Sequence, residues 1–92
     1  MEYTIGPAVV NGRRFGSVTV QCDFRGGFVP HFYMRLDLPA FPVGAMGRTA
    51  EEAAYRLAET LSTIYEILTD MPEGVRTTSD KLTLEKLSPL FE

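Results

Sequence analysis

Residues 50–69 constrain the fold more than any other segment, because their apolar side chains recur at helical spacing. Side chains three or four positions apart lie on one face of an α-helix, so this stripe predicts an amphipathic helix with one buried face. The stripe consists of Ala53, Leu57, Leu61, Ile64 and Leu68, and Ala54, Ala58 and Tyr65 widen it. The rest of the chain has to supply an apolar surface that covers this face.

Sequence signals mark both ends of this helix. Thr49 is a typical N-cap residue, and Glu52 three positions later completes the pattern of a capping box, in which each side chain accepts a hydrogen bond from the other residue's backbone N–H. Pro72 follows Met71, and a residue before proline is disfavoured in the α conformation. We therefore predict strands and loops over 1–47, a helix over 49–70, and a C-terminal tail over 72–92.

The residues before the helix predict antiparallel strands joined by tight turns. Residues 3–10 favour β-structure and end at Asn11-Gly12, which is typical of a two-residue hairpin turn. A second strand is expected over 15–24, and a turn at Arg25-Gly26-Gly27 leads to a third strand over 28–38. Alternation predicts a buried face in both, made of Val18, Val20 and Cys22 in the second strand and Phe28, Phe32, Met34, Leu36 and Leu38 in the third.

Two segments are less regular. Residues 39–47 contain two prolines and two glycines, which predicts a loop with a short strand around 43–46. Residues 81–87 fit a strand through Leu82 and Leu84, or a short helix with Leu84 and Leu87 facing inward.

The 92 residues suit a single domain. The predicted fold class is α+β, with a small antiparallel sheet of three to four strands and one long amphipathic helix on one face.

Charge and cysteine content restrict the function. The net charge is −3 and the nine Lys and Arg residues are scattered, whereas binding to a phosphate backbone needs clustered positive charge. We therefore expect no direct contact with nucleic acid.

A lone cysteine, Cys22, allows no intramolecular disulfide, and the sequence shows neither a signal-peptide pattern nor a membrane-spanning stretch. We expect a cytoplasmic protein that does not bind a membrane.

Residues capable of catalysis do not form a recognisable motif. His31 is the one histidine, and no nucleophile is placed beside it by any pattern; one His and one Cys do not supply the usual zinc ligands. Cys22 lies on the same predicted face of its strand as the apolar Val18 and Val20, so we interpret it as a buried structural thiol. We expect no cofactor, no metal and no enzymatic activity. The alternative is a small metal-dependent nuclease that uses the carboxylates of Asp23, Asp37, Glu51 and Glu52.

One stretch has a more specific pattern. Asp37-Leu38-Pro39, a loop, and then Gly47-Arg48-Thr49-Ala50-Glu51-Glu52-Ala53 resemble the HicB-like antitoxin family, and Gly26-Gly27-Phe28 resembles the turn before one of its strands. The resemblance spans roughly residues 17–70. It implies a sheet with a helix in a partial ribonuclease-H-like arrangement, and an antitoxin that neutralises a ribonuclease toxin. No helix-turn-helix or ribbon-helix-helix pattern follows the helix, which favours an inhibitor that does not regulate transcription.

The sheet face that the helix does not cover is the predicted binding surface. Aromatic and arginine side chains are enriched where protein partners bind most tightly. The predicted partner-binding residues are Asp23, Arg25, Phe28, His31, Tyr33, Arg35 and Asp37.

The function predicted from these features is inhibition by binding. The protein would occlude a larger nucleic-acid-processing partner with a basic surface, as phage-encoded anti-CRISPR proteins do. The alternative from the resemblance is the HicB-like antitoxin. We also expect a homodimer, formed through an open edge at the first or third strand.

The predicted N-cap is open to a direct test. We expect Thr49→Ala to lower the free energy of unfolding by about 1 kcal/mol, because a backbone N–H at the helix start loses its acceptor. Urea denaturation of the two proteins measures this difference. Unchanged stability would place the start of the helix at another residue.

Overall fold

A four-stranded antiparallel sheet with a long helix packed against it forms the main body of the fold, as the α+β prediction requires. The structure is a computed structural model that describes residues 1–91. The sheet has the strand order β1-β4-β5-β6, and β2 and β3 form a separate two-stranded sheet. The elements are β1 Glu2–Ile5, β2 Ala8–Val10, β3 Arg13–Phe15, β4 Val18–Arg25, β5 His31–Asp37, β6 Pro42–Gly47, α1 Ala50–Asp70 and α2 Thr78–Leu87.

The predicted turn at Asn11-Gly12 is confirmed, but the strands on either side of it are interrupted. Asn11 and Gly12 have φ angles of 51° and 75°, which fits a type I′ turn between β2 and β3. The prediction of one strand over 3–10 was wrong, because the chain bends at Gly6, where φ is +86°. A Cβ at Gly6 would collide with the carbonyl oxygen of Gly16, so both halves of the hairpin bend at this point. We call residues 7–16 the arm.

The helix stripe is buried against one face of the sheet. Leu57, Leu61 and Leu68 are buried, as is Ala53, and Ile64 is partly buried. Their partners on the sheet are the inward-facing residues predicted from the alternation, among them Val20, Cys22, Met34 and Leu36. The two sequence patterns therefore meet in a single core between α1 and the sheet.

The N-cap of α1 is confirmed, but the reciprocal half of the capping box is not. The Thr49 hydroxyl accepts a hydrogen bond from the Glu52 backbone N–H at 3.0 Å. The Glu52 carboxylate accepts its bond from the backbone N–H of Arg48, at 3.4 Å, instead of from Thr49. The same Oε1 of Glu52 also forms an ion pair with Arg56 one turn later, at 3.3 Å.

The tail forms a helix, α2, and not a strand. Thr77 and Asp80 cap it reciprocally, with hydrogen bonds of 3.0 and 3.1 Å. Leu87 is fully buried and Leu84 partly so. The tail then docks through Phe91, whose ring lies 5.3 Å from that of Phe15 and 4.9 Å from that of Tyr65. Glu92 lies outside the described residues.

The predicted loop over 39–47 contains a strand that is longer than expected. β6 runs from Pro42 to Gly47, pairs with β5 and forms one edge of the sheet. The prediction of an open edge at the first or third strand is met by the first, since β1 is an edge, whereas the third strand, now β5, lies inside the sheet. The third strand also begins later than predicted, at His31, so Phe28 lies in the turn that precedes it; the prediction that Phe28 belongs to the buried face was wrong, because its side chain is fully exposed.

No helix within residues 1–91 has the length and apolarity needed to span a membrane.

A pair of substitutions on α1 tests the orientation of the helix. Leu61→Ala should lower the free energy of unfolding by about 2–5 kcal/mol, because it leaves a cavity in the core. Ile67→Ala, on the same helix but 56% exposed, is the matched control and should change it by no more than about 0.5 kcal/mol. Chemical denaturation gives both values, and equal losses would contradict the burial of this face.

Candidate functional site

The sheet has one face that α1 does not cover, which we call the open face. Burial alternates from residue to residue over 18–23 of β4 and 33–37 of β5, whereas the strand ends next to the turn between them are exposed or half-buried throughout. Cross-strand pairing places Asp23 opposite Tyr33 and Arg25 opposite His31. Six of the seven predicted binding residues share this face, namely Asp23, Arg25, His31, Tyr33, Arg35 and Asp37. The sequence alternation was sufficient to bring these six together.

Tyr33 lies near the centre of the open face and is held by two neighbours. The Arg25 guanidinium lies 4.4 Å from the centroid of its ring, in a cation–π contact. The phenol end of the ring lies against Gly44 of β6, where a Cβ would collide with the ring. A residue without a side chain at position 44 therefore gives Tyr33 the space to lie across β6.

Arg35 and Asp37 form an ion pair farther along β5. Arg35 Nε donates a hydrogen bond to Asp37 Oδ1 at 2.8 Å, and both side chains are more than half exposed. This hydrogen bond, together with the attraction between the charges, raises the pKa of the Arg35 guanidinium above its ordinary value. The two residues point to the same side of the strand because they are two positions apart, and their charges largely cancel.

The turn between β4 and β5 carries an exposed apolar cluster, which we call the hairpin tip (residues 24–30). Phe28 is 104% exposed, Val29 62% and Phe24 58%. β6 ends at Gly47 opposite Phe32, so the tip projects beyond the neighbouring strand. Phe28, the seventh predicted residue, therefore adjoins the end of the open face instead of lying on it.

The five aromatic residues from 24 to 41 do not form the single cluster that their proximity in the sequence suggests. Phe24 and Phe32 are in contact, with ring centroids 5.1 Å apart. Phe41 precedes β6 and lies at the opposite end of the sheet, since Pro42 pairs with Asp37. The extended strand β5 runs the length of the sheet between them, so Phe41 is carried to the end opposite Phe24 and Phe28.

A cleft of about 380 Å³ opens between the hairpin tip and the start of α1. Val29, His31, Met46, Arg48, Glu52 and Arg56 contribute to its lining. His31 Nδ1 lies 3.0 Å from the carbonyl oxygen of Val29, a contact that orients the imidazole. Met46, which is 53% exposed, was missed by the sequence analysis because its segment was assigned mainly to a loop.

The carboxylates considered for nuclease chemistry do not converge. Asp23 is opposite Tyr33, so Asp37 lies four residues farther along the sheet, about 13 Å away. Glu51 and Glu52 are at the start of α1, on the other side of the sheet. Among residues 1–91, no group of three or more His, Cys, Asp or Glu side chains is arranged to hold a metal ion. Cys22 is buried in the core, as predicted.

Comparisons with protein-family models, with curated proteins and with solved structures find no match. The resemblance to HicB-like antitoxins therefore stays a prediction.

The contact between Arg25 and Tyr33 has a measurable signature. We expect the Arg25 Hδ protons to resonate upfield of their usual position, because they lie close to an aromatic ring, and we expect Tyr33→Leu to abolish this shift. The control is Tyr55→Leu, an exposed tyrosine on α1. The loss of the cation–π contact should cost about 1 kcal/mol or less at this exposed site. Two-dimensional NMR measures the shifts, and an unshifted Arg25 in the wild-type protein would contradict the contact.

Proposed function

We propose that the protein is a non-catalytic inhibitor that binds a larger nucleic-acid-processing protein and occludes part of its surface. The observation that supports this most is the combination of the open face, which carries Tyr33, Arg25 and Arg35, with the exposed apolar hairpin tip beside it. Tyrosine, phenylalanine and arginine are enriched at protein interfaces. The open face supplies the polar and aromatic part of the proposed interface, and the hairpin tip supplies an apolar part at one end of it.

The core leaves this surface free for a partner. The apolar side chains of α1 and of the inward face of the sheet are buried against one another. The hairpin tip is different, because Phe24, Phe28 and Val29 are all more than half exposed and are clustered in one turn. Clustered exposed apolar groups of this kind mark interaction sites more often than isolated ones do. Phe28 is the natural anchor, since its entire side chain is available for burial.

The open face is held in place before a partner binds. Tyr33 is restrained by Arg25 and Gly44, and Arg35 is restrained by Asp37. Ordering a mobile side chain at an interface costs about 0.5–1.5 kcal/mol, so restraint in the free protein lowers this cost. The cleft beside His31 and Met46 offers a recess for a protruding side chain of the partner.

The same contacts favour a protein partner over a nucleic acid. Proteins that bind single strands stack bases on exposed aromatic faces, but the Arg25 guanidinium already covers one face of Tyr33. Arg35 is paired with Asp37, so its charge is not free for a phosphate. The net charge of −3, together with Asp23 on this face, complements a basic surface. Surfaces that hold nucleic acid are basic, which is why we infer a partner of this class.

A triple variant tests this surface. Tyr33→Ala, Arg35→Ala and Asp37→Lys together should abolish binding to the partner while the melting temperature remains close to that of the wild type, because all three side chains lie outside the core. The partner is first isolated from the native host by affinity purification with the wild-type protein. Binding is then measured by calorimetry, and inhibition by titration of the partner's activity on its nucleic acid.

The matched control carries the same number of changes on a distant exposed surface, namely Ile67→Ala, Lys81→Ala and Asp70→Lys. It should bind and inhibit at the wild-type level, at a fixed stoichiometry and without turnover. Binding that survives the open-face triple variant would mean that the surface is wrongly placed. The purified protein is also tested for metal-dependent cleavage of nucleic acid. If it cleaves, and if Asp23→Asn abolishes the cleavage, the protein is the nuclease of the alternative prediction and the proposal is wrong.

A further inference from the structure

Within residues 1–91, no strand pairs with the outer edge of β1. β1 pairs with β4 on one side only, at the end of the sheet order. The backbone N–H of Cys22 donates to the carbonyl oxygen of Met1 at 2.7 Å, which fixes the alternation of this ladder. Hydrogen-bonded and non-hydrogen-bonded pairs alternate along an antiparallel ladder, so Tyr3 and Ile5 direct their backbone groups towards β4. Glu2 and Thr4 therefore direct theirs outwards.

The opposite edge of the sheet is protected. The carbonyl oxygen of Met46 on β6 accepts a hydrogen bond from Arg56 Nη1 at 3.0 Å, so it points away from β5. By the same alternation Pro42 and Gly44 also face outwards, and Pro42 has no N–H to offer. Proline and charged side chains are common devices that prevent edge strands from pairing. Within residues 1–91, the outward backbone groups of β1 have neither a proline nor a side-chain hydrogen bond of this kind, and Glu2 is the one charged residue on this edge.

We propose that β1 pairs with β1 of a second copy of this chain, in an antiparallel ladder centred on Tyr3. Glu2 of each copy then exchanges both backbone hydrogen bonds with Thr4 of the other, and the two Tyr3 residues are directly opposite each other. Because the β6 edge is protected, the pairing closes after two copies and does not continue into a fibre. The product is a dimer with a continuous eight-stranded sheet.

The register follows from the two outward-facing residues. A ladder centred on Glu2 would place two carboxylates directly opposite each other, and like charges in that position are destabilising. A ladder centred on Thr4 would require the backbone of Gly6, where the chain turns away at a φ of +86°. The ladder centred on Tyr3 avoids both problems, since Glu2 faces the neutral Thr4 and the paired segment ends before the bend.

A groove beneath this edge has room for the second copy. It has a volume of about 310 Å³ and lies between β1 and α1. Its walls include Tyr3 and Ile5 of β1 and the small side chains of Ala54 and Ala58 on α1. Tyr3 is partly buried on this side of the sheet, so in the paired ladder Tyr3 of the second copy enters the same groove. In the dimer, the groove of one copy would be filled by a side chain of the other copy.

Such a dimer has a geometric consequence for binding. A two-fold axis that pairs two β1 strands in one sheet is perpendicular to that sheet, so both copies of α1 lie on one side and both open faces on the other. The dimer itself rests on the β1 edge and is independent of the proposed function. If the open face binds a partner, the two faces point in the same direction and can engage a two-fold partner with increased avidity.

A proline substitution at the edge tests the pairing. Thr4→Pro removes an outward N–H without affecting the ladder with β4, where proline at an outward edge position is tolerated. Sedimentation velocity at micromolar concentrations, with any tag at the C-terminus, should give a dimer for the wild type and for the control Thr4→Ala, and a monomer for Thr4→Pro. All three should show wild-type circular dichroism. A monomeric wild type, or a folded Thr4→Pro that remains a dimer, overturns the proposal.

A disulfide crosslink tests the register of the ladder. It also tests the dimer itself if Thr4→Pro fails to fold. Residues directly opposite in a non-hydrogen-bonded pair have Cα atoms about 4.5 Å apart, which is within disulfide range. In a Cys22→Ser background, Tyr3→Cys should form a covalent dimer under mild oxidation. Val9→Cys, 67% exposed on the arm, is the control and should remain monomeric on a non-reducing gel. Equal crosslinking of both variants, or none at Tyr3→Cys, overturns the register.

Discussion

The burial of the α1 stripe against one face of the sheet is the interaction on which the rest of the structure depends. Leu57 and Leu61 are fully buried there, together with Met34 of β5. Burial of each such side chain contributes about 1.5–3 kcal/mol relative to exposure. A domain of this size has few other apolar residues from which to build a core. This packing determines which face of the sheet is closed, and thereby which face remains open to a partner.

The ends of the chain stabilise the same helix from other directions. The arm brings Phe15 towards the C-terminal half of α1, and the tail brings Phe91 to the same place, where both rings contact each other and Tyr65 stacks on Phe91. The Gly16 backbone N–H donates a hydrogen bond to the carbonyl oxygen of Leu90, and this bond joins the end of the arm to the tail. The tail is thus a structural part of the fold, and its apolar residues Leu87 and Phe91 are not free to bind a partner.

The surfaces left over by this core differ in chemistry. The open face is polar and aromatic, and its side chains are restrained by contacts such as that of Arg25 with Tyr33. The hairpin tip is apolar and projects beyond β6, while the β1 edge offers backbone groups at Glu2 and Thr4. The three surfaces lie on different parts of the sheet, so a partner at the first two would not compete with the proposed self-association at the third.

The sequence by itself determined the elements whose signals are local. Helical spacing indicated the extent and buried face of α1, the alternation of β4 and β5 assigned six of the predicted binding residues to the open face, and Asn11-Gly12 indicated the type of turn. Only the tertiary structure decided where strands stop and which edges are free. The bend at Gly6 depends on the approach of Gly16, the space beside Tyr33 depends on Gly44 of another strand, and β6 became an edge by pairing with β5. These features arise from contacts of one strand with another, which the spacing of residues within a single element does not record.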